Sequence, residues 1–303
     1  MRKKESQSIL HQTQRARGIG YLIDLLCATR IGRKAPRFYQ NRGQKMAVFA
    51  NDYIGILINQ FGVYEKDELD LLFDFLTPIK AVLSNGLALD IGANIGNHSV
   101  YFSSVFAKVY AFEPNPDTYC LLKFNSKTLQ NVKTFNIGLG EKTAEMLLKE
   151  NNTNLGGSFI VFESEKDSGL QKVTVKTLDD LDENLSEMVF LKIDVEGFEE
   201  KVIKGGIKRI TNYQPIIVLE QAESEFVGTT TPSIQALEEI GYVFCWQDKL
   251  ENKYTGITRK ILNIYRTVFD SNSKIVTGKI IPKRFHSMLI AVPPRFHSLL
   301  NRE

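Results

Sequence analysis

Residues 87–101 read LALDIGANIGNHSVY, and this stretch narrows the fold more than any other. A short apolar run, Leu87-Ala88-Leu89, ends on Asp90; Gly92 and Gly96 follow four residues apart, and after them a segment suited to start a helix. A strand that passes through a glycine turn into a helix aims backbone N–H groups, and the positive end of the helix dipole, at whatever lies above the strand end. Such a turn binds a nucleotide or a nucleotide-like cofactor.

From Leu87 onward apolar runs alternate with helical periodicity. Strands are predicted at Leu87–Ile91, Lys108–Phe112 and Val132–Ile137, with helices at Ile95–Phe106 and Pro116–Leu129 between them. This βαβαβ order requires a parallel sheet with right-handed crossovers. Turn-forming residues then interrupt it: Gly138-Leu139-Gly140, Asn151 to Asn154 and Gly156-Gly157 mark 138–188 as a β-rich insertion. Thr177 stands three residues before Asp180, a capping-box pattern. The alternation resumes with strands at Met188–Ile193, Pro215–Leu219 and Tyr242–Trp246, helices at Glu199–Ile207 and Ser233–Ile240, and a last strand at Lys260–Val268. Upstream, a strand-like run covers Lys45 to Phe49, a helix covers Glu68 to Leu76, and Gly62-Val63-Tyr64-Glu65 reads as a lid over the site. Four units follow: a basic extension at 1–45, a lid region at 46–86, the main domain at 87–266, and a basic tail at 267–303.

Charge divides the chain in the same way. Residues 1–45 carry 11 Lys and Arg against Glu5 and Asp24, and 253–303 carry 10 against Asp270 and Glu303. The middle holds 17 basic and 31 acidic residues. An acidic body argues against a nucleic-acid substrate, whose enzyme presents a basic face. The basic ends either fold back on that body or touch anionic lipid. Ile19, Leu22, Ile23 and Leu26 suit one short amphipathic helix, with Gly18, Gly20 and Gly32 limiting its length. The three cysteines, Cys27, Cys120 and Cys245, show no disulfide or metal spacing, and no stretch of 18 apolar residues occurs. The Met1-Arg2-Lys3-Lys4 start lacks a following apolar core. These features point to a reducing compartment, the cytoplasm, with peripheral contact at the inner membrane face as the sharper alternative.

Ligands of an open parallel sheet bind beyond the carboxyl ends of its strands, where the strand order reverses. Asp90, Glu113, Asp194 and Glu220 each close a predicted strand and together make an acidic cleft. Glu113 stands about 20 residues past the glycine turn, where a carboxylate accepts from both ribose hydroxyls. The turn itself, Gly92-Ala93-Asn94-Ile95-Gly96, lacks the G-x-G-x-x-G spacing that lets a diphosphate approach, and Asp90 would repel one. S-Adenosylmethionine carries an ammonium and a sulfonium but no phosphate. Acids suit its cations, and the sequence favours it over a nicotinamide cofactor.

In combination, LALDIGANIGNHS, AFEPNP, VTVKTLDDL, FLKIDVEGFEEKVIKGG and PIIVLEQ resemble the FkbM-type methyltransferase family, from about Asn51 to Trp246 and including Gly62 to Glu65. The resemblance implies a class I, Rossmann-like α/β fold, doubly wound around a mostly parallel seven-stranded sheet. It also implies transfer of a methyl group from S-adenosylmethionine to a hydroxyl of a sugar, glycan or secondary metabolite, as in polysaccharide biosynthesis. By position it assigns Asp90, Gly92, Asn94 and Gly96 to the cofactor turn and Glu113 to the ribose. Asn136 to Leu139, with Gly138, flank the adenine, and Tyr64 of the lid joins the cofactor set.

Methyl transfer is an in-line displacement at an already activated carbon, so alignment and exclusion of water lower most of its barrier. An alcohol acceptor gains further from a base. Asp194 or Glu196, on either side of the Asp194-Val195-Glu196-Gly197 turn, is the candidate. Helix capping by Asp194 with a solvated Glu196 is the plain alternative, and a divalent metal shared with Glu220 is a third. His98, on the first turn of the following helix, is a candidate proton shuttle or a core residue. The tail repeats itself, Pro282-Lys283-Arg284-Phe285-His286-Ser287 returning as Pro293-Pro294-Arg295-Phe296-His297-Ser298. Packing against the body or a second subunit, rather than metal binding, is the reading for it. A binding module that kept the pocket but lost catalysis, and a nicotinamide enzyme, are the rival functions.

Overall fold

The computed structural model describes residues 18–42, 46–50, 52–149, 159–161, 170–248 and 273–300. An eight-stranded sheet forms the centre. Its strands are β1 (Leu87–Ile91), β2 (Lys108–Phe112), β3 (Val132–Phe135), β8 (Met188–Ile193), β9 (Ile216–Gln221), β10 (Val243–Asp248), β11 (Lys274–Thr277) and β12 (His286–Val292). They lie in the order β11-β10-β12-β9-β8-β1-β2-β3. The run from β3 through β9 is parallel, whereas β12 is antiparallel to both neighbours, β9 and β10. Every residue of β1 and β8 is buried, as expected for parallel strands covered on both faces.

Chain order reverses between β1, which leads outward to β2 and β3, and β8, which leads the other way to β9. The crevice above this junction is where an open α/β sheet takes its ligand. The helices around it are short: α5 (Asn97–Phe102) follows β1, α6 (Pro116–Ser126) follows β2, and α7 (Glu199–Gly205) follows β8. Asn115 starts α6 by accepting from the backbone N–H groups of Asp117 and Thr118, with Pro116 in the first turn. That proline lacks the N–H such a position leaves unpaired anyway. On one face of the sheet Phe102, Phe106 and Phe190 pack with ring centroids 5.1–5.9 Å apart, under α3 (Lys66–Phe75). On the other, Leu89, Ile91, Leu191 and Ile193 join Val202 and Ile203 of α7.

The 138–188 insertion is a second sheet, β4 (Gly138–Leu139), β5 (Ala144–Lys149), β6 (Phe159–Val161) and β7 (Leu170–Lys176), in the order β4-β7-β5-β6. Thr177 accepts from the Asp180 N–H and donates to its carboxylate, but this pair sits in a turn and opens no helix. The neighbouring Asp179 instead receives the Lys208 and Arg209 N–H groups at the start of α8 (Ile207–Tyr213).

Several expectations are corrected. The sheet has eight strands, not seven, and its last strands come from the segment read as a tail: β12 is inserted between β9 and β10. The main domain therefore does not end at 266, and the proposed strand at Lys260–Val268 lies outside the described residues. The basic residues around Met288-Leu289-Ile290 disguise a strand whose apolar residues are almost fully buried. The tail repeat packs into the body, Phe296 and Leu299 entering the core. Residues 46–49 are not a strand. The N-terminal helix, α1 (Gly18–Arg42), is longer than Ile19–Ile31 and continues through Gly32 and Pro36. It packs on α2 (Tyr53–Phe61) and leaves its apolar residues exposed, Ile19 at 79% and Leu26 at 62%. Among the described residues no helix is long and apolar enough to cross a membrane.

Candidate active site

A cavity of about 270 Å³ opens above the β1–β8 junction. Of eleven residues that the sequence nominates, seven line it: Tyr64, Gly92, Asn94, Glu113, Gly138, Asp194 and Glu196. Glu220, the fourth acid of the predicted cleft, lines it too, and Ile91, Phe112, Pro114, Leu139 and Leu148 supply apolar wall.

The floor is built by close backbone approach. Gly92 has φ +76°, and a Cβ placed there would lie 1.8 Å from the Asp194 carbonyl oxygen. Glycine is thus demanded both by its left-handed backbone and by the loop after β8 crossing over it. Asn94 adopts φ +50°, and its N–H donates to Glu113 Oε2 at 2.9 Å. Glu113 Oε1 receives the Asn115 N–H at 2.9 Å. One carboxylate so ties the turn after β1 to the turn after β2. Burial raises Glu113 to about 7 against the two N–H groups that favour its ionised form.

Four nominated residues stand behind this surface. Asp90 is the clearest correction: its side chain is fully buried within β1, and Ile91 lines the cavity instead. Ser99 Oγ donates to Asp90 Oδ2 at 2.6 Å, and Lys192 Nζ stands 3.5 Å from Oδ1. Gly96 (φ +91°) packs on Leu122. Asn136 donates to the Glu113 and Pro114 carbonyls, shaping the wall from outside. His98 stacks on Phe102 and brings Nε2 to 3.3 Å from Glu65 Oε2, close but misaligned for a hydrogen bond. It lines a smaller pocket behind the site, shared with Lys192 and Met288.

The opposite rim carries the carboxylates. Lys192 on β8 is buried and stands between Asp90 and Asp194, donating to Asp194 Oδ2 at 3.0 Å. Its ammonium is held charged by these two acids despite burial. Asp194 is correspondingly pulled below the usual carboxylate range by Lys192, while burial opposes the shift. Glu220 is pushed up to about 9 by burial and by the neighbouring Asp194 and Glu196. The two carboxylates titrate as a pair, Asp194 being driven toward the ionised form and Glu220 toward the protonated one. Glu196 sits at φ +52° followed by Gly197 at +88°, a turn tied by Glu199 Oε1, which accepts from the Val195 and Gly197 N–H groups at 3.2 Å. Burial, with Asp194 nearby, raises Glu196 above its ordinary value.

The lid is fixed rather than loose. Asn97 in the first turn of α5 accepts from the Tyr64 N–H and donates to the Tyr64 carbonyl, both at 3.0 Å. Tyr53 from α2 and Phe285 from the loop before β12 complete the cavity lining. Lys192, Asn97, Glu199 and Phe285 were not nominated from sequence. Lys192 alone left a visible signal, a lysine inside the wholly apolar run of a buried strand, where it requires an acid partner. Among the described residues no group of three or more His, Cys, Asp or Glu has metal-holding geometry.

Residues 90–244, more than half of the chain, match the family model described as the methyltransferase FkbM domain. The chain belongs to the FkbM methyltransferase family. Its class I, Rossmann-like fold is the doubly wound sheet described above, carrying one added edge strand. Among curated relatives, the hexuronic acid methyltransferase AglP of Haloferax volcanii is 32% identical over 134 residues, 43% of this chain and 53% of that protein. The chain thus spans about half the length of AglP. The methyltransferase sdnD of Sordaria araneosa is 29% identical over 205 residues, 56% of this chain and 78% of sdnD. Among solved structures, methyltransferase FkbM from Methylobacillus flagellatus aligns with TM-score 0.35 and 16% identity over 71% of this chain and 56% of that one. Likeness at that level adds nothing to what the family match establishes.

Proposed function

We propose that this FkbM-family chain is an S-adenosylmethionine-dependent O-methyltransferase acting on a hydroxyl of a sugar, glycan or small metabolite. The observation that carries the reading is the composition of one cavity: a glycine turn and ribose-type acid on one side, and Asp194, Glu196 and Glu220 on the other. The donor set suits this cofactor. Thr118 Oγ1 is a buried hydroxyl with no hydrogen-bond partner, on a residue lining the cavity, and an unsatisfied group there is costly unless a ligand or water completes it. The Glu113 oxygens keep lone pairs for a ribose diol, and Ile91, Phe112 and Leu139 offer apolar wall for a purine. Carboxylates at the far rim suit an ammonium and a sulfonium, whereas a dinucleotide would press its diphosphate on them. The bound cofactor supplies a methyl group made electrophilic by the sulfonium.

The chain's own residues then orient the acceptor. Asp194, held ionised by Lys192, is a weak base but a strong hydrogen-bond acceptor. Glu196, raised by burial, is the better proton acceptor, as Brønsted behaviour favours the more basic carboxylate. Glu220, raised by burial and by its acid neighbours, stands beside Asp194 on the same rim. A hexuronic acid methyltransferase among the relatives supports a sugar as the acceptor class.

Equilibrium binding of S-adenosylmethionine and of NAD to the full chain is the first test, and binding of NAD alone would overturn the assignment. Transfer of labelled methyl into extracted glycans and metabolites is the second. Cofactor binding without any transfer would leave a binding module. Full turnover in the double variant Asp194→Asn, Glu196→Gln would remove the base role while leaving the cofactor reading intact.

A further inference from the structure

Two asparagine side chains grip the segment upstream of β1 in the same way. Asn97, the first residue of α5, accepts from the Tyr64 N–H and donates to the Tyr64 carbonyl. Asn125, near the end of α6, accepts from the Ala47 N–H at 2.7 Å and donates to the Ala47 carbonyl at 2.9 Å. A side-chain amide that meets both backbone groups of one residue reproduces a rung of a β-ladder. Both asparagines are buried, at 7% and 1% exposure. Asn125 also donates to the Ile95 carbonyl at 2.7 Å, and Asn97 directly follows Gly96, so both clamps are rooted at the glycine turn. Between the clamped residues lies α2, and this segment gives the cavity Tyr53, Ile54, Tyr64 and Glu65, while the turn gives it Gly92 and Asn94. Resting on the cofactor reading above, we propose that Asn97 and Asn125 are positioning residues that join the upstream segment to the glycine turn, so that binding of S-adenosylmethionine on the turn and ordering of the segment beside it are one coupled equilibrium.

Local preference does not set the shape of this segment. Glu65, beside the clamped Tyr64, holds φ +57°, a backbone that costs a non-glycine residue and persists only where its surroundings over-determine it. At the other end α2 is tied to the Ala47 stretch. A Cβ on Gly55 would lie 2.5 Å from the Phe49 carbonyl oxygen, and Asp52 Oδ2 accepts from the Gly55 N–H at 3.2 Å. The glycine turn is itself in a special conformation, with Asn94 at φ +50° and Gly96 at φ +91°. A ligand that restrains Asn94 to Gly96 therefore restrains the Ile95 carbonyl and Asn97, the roots of the two clamps. Linkage makes the effect reciprocal: whatever the clamps add to cofactor affinity, the cofactor adds to the clamps. Tyr64 lines the cavity, but Ala47 does not, so the Ala47 N–H reports on the clamp and not on contact with the ligand.

The test uses the full chain with S-adenosylhomocysteine, the demethylated cofactor, as the probe. Amide hydrogen exchange is followed with and without saturating probe, and affinity is measured by equilibrium dialysis. Exchange at the Ala47 and Tyr64 amides is expected to slow at least about fivefold more than at the Gly241 amide, which donates to the Glu238 carbonyl and is touched by neither clamp. Asn97→Ala and Asn125→Ala, verified as folded by circular dichroism, are each expected to bind the probe about tenfold more weakly. Wild-type affinity in folded Asn125→Ala overturns the inference. Equal slowing at Ala47 and Gly241 in the unaltered chain also overturns it, and that measurement decides the matter if the variants do not fold. Failure of the unaltered chain to bind the probe overturns the cofactor reading itself, and this inference with it.

Discussion

Replacing Lys192 by Met removes a buried charge from between two acids while keeping side-chain length. Asp90 is fully buried, and its Oδ1 has no hydrogen-bond donor, only the Lys192 ammonium at 3.5 Å. At an effective dielectric of 20 that attraction is about 5 kcal/mol, before desolvation of the ammonium offsets part of it. The contact with Asp194 is shorter, 3.0 Å, but the Asp194 side chain is 32% exposed, so water screens it. Removing one member of a buried pair typically costs about 3–5 kcal/mol, because the other charge is stranded. Lys192→Met is therefore expected to lose about 3–5 kcal/mol at pH 7. Asp194 is held below the usual carboxylate range, so its share of this stability is present above the unfolded carboxylate value near 4 and fades as pH falls through the folded one. The loss should therefore shrink toward acid pH as the Asp194 share fades. Urea unfolding followed by the fluorescence of Trp246, the one tryptophan and a buried residue of β10, reads the change. The double variant Asp90→Asn, Lys192→Met should recover most of the loss. A Lys192→Met protein within about 1 kcal/mol of wild type at pH 7 would refute the reasoning.

Gly92→Ala places a methyl against the Asp194 carbonyl and strains φ +76°; a loss above about 3 kcal/mol, with cofactor binding abolished, is expected by urea unfolding and calorimetry. Wild-type binding of S-adenosylmethionine would show that the two loops part freely. Burial raises Glu113 to about 7, so ionising it costs the folded protein stability between pH 4.3 and 7, and a ribose diol favouring the ionised form recovers it. Affinity for S-adenosylmethionine should rise about tenfold from pH 6 to 8 and be flat in Glu113→Gln; parallel profiles would sink the assignment. The exposed apolar side chains of α1, with Arg30, Arg33 and Lys34 beyond them, are expected to carry the full chain down with anionic vesicles in a salt-sensitive manner, and a chain lacking residues 1–42 should stay in solution. Equal partition ends that idea.

Local chemistry was the part of this protein open to reading in advance. The turn at Gly92 needs its glycine because of its own φ and a loop contact, and Glu113 follows at a spacing that any βαβ unit imposes. Both are therefore visible one-dimensionally. Asp194, Glu196 and Glu220 were visible because each stands at or near the carboxyl end of an apolar strand run: Asp194 directly after β8, Glu196 in the turn beyond it, and Glu220 as the penultimate residue of β9. Asp90 looks identical in sequence to those acids, yet it is fully buried behind the cavity rather than lining it. The difference lies in the strand's place and covering: Asp90 sits in central β1 with Ser99 and Lys192 packed against its carboxylate, whereas Glu220, equally one residue inside β9, opens onto the cavity. The true partner of Asp90, Lys192, stands in the same register on β8 about a hundred residues later, a pairing that no local pattern announces. β12 was hidden differently, since flanking Lys and Arg made a buried strand look like a solvated tail. The two errors share a consequence for the chemistry. Lys192 lies between Asp90 and Asp194, so Asp90 helps hold that lysine charged, and Lys192 in turn draws Asp194 toward its ionised form. Asp90 thus reaches the reaction only through Lys192, and Asp90→Asn should weaken turnover by loosening Asp194 while barely changing affinity for S-adenosylmethionine. Equal loss of affinity and turnover would return Asp90 to the cofactor.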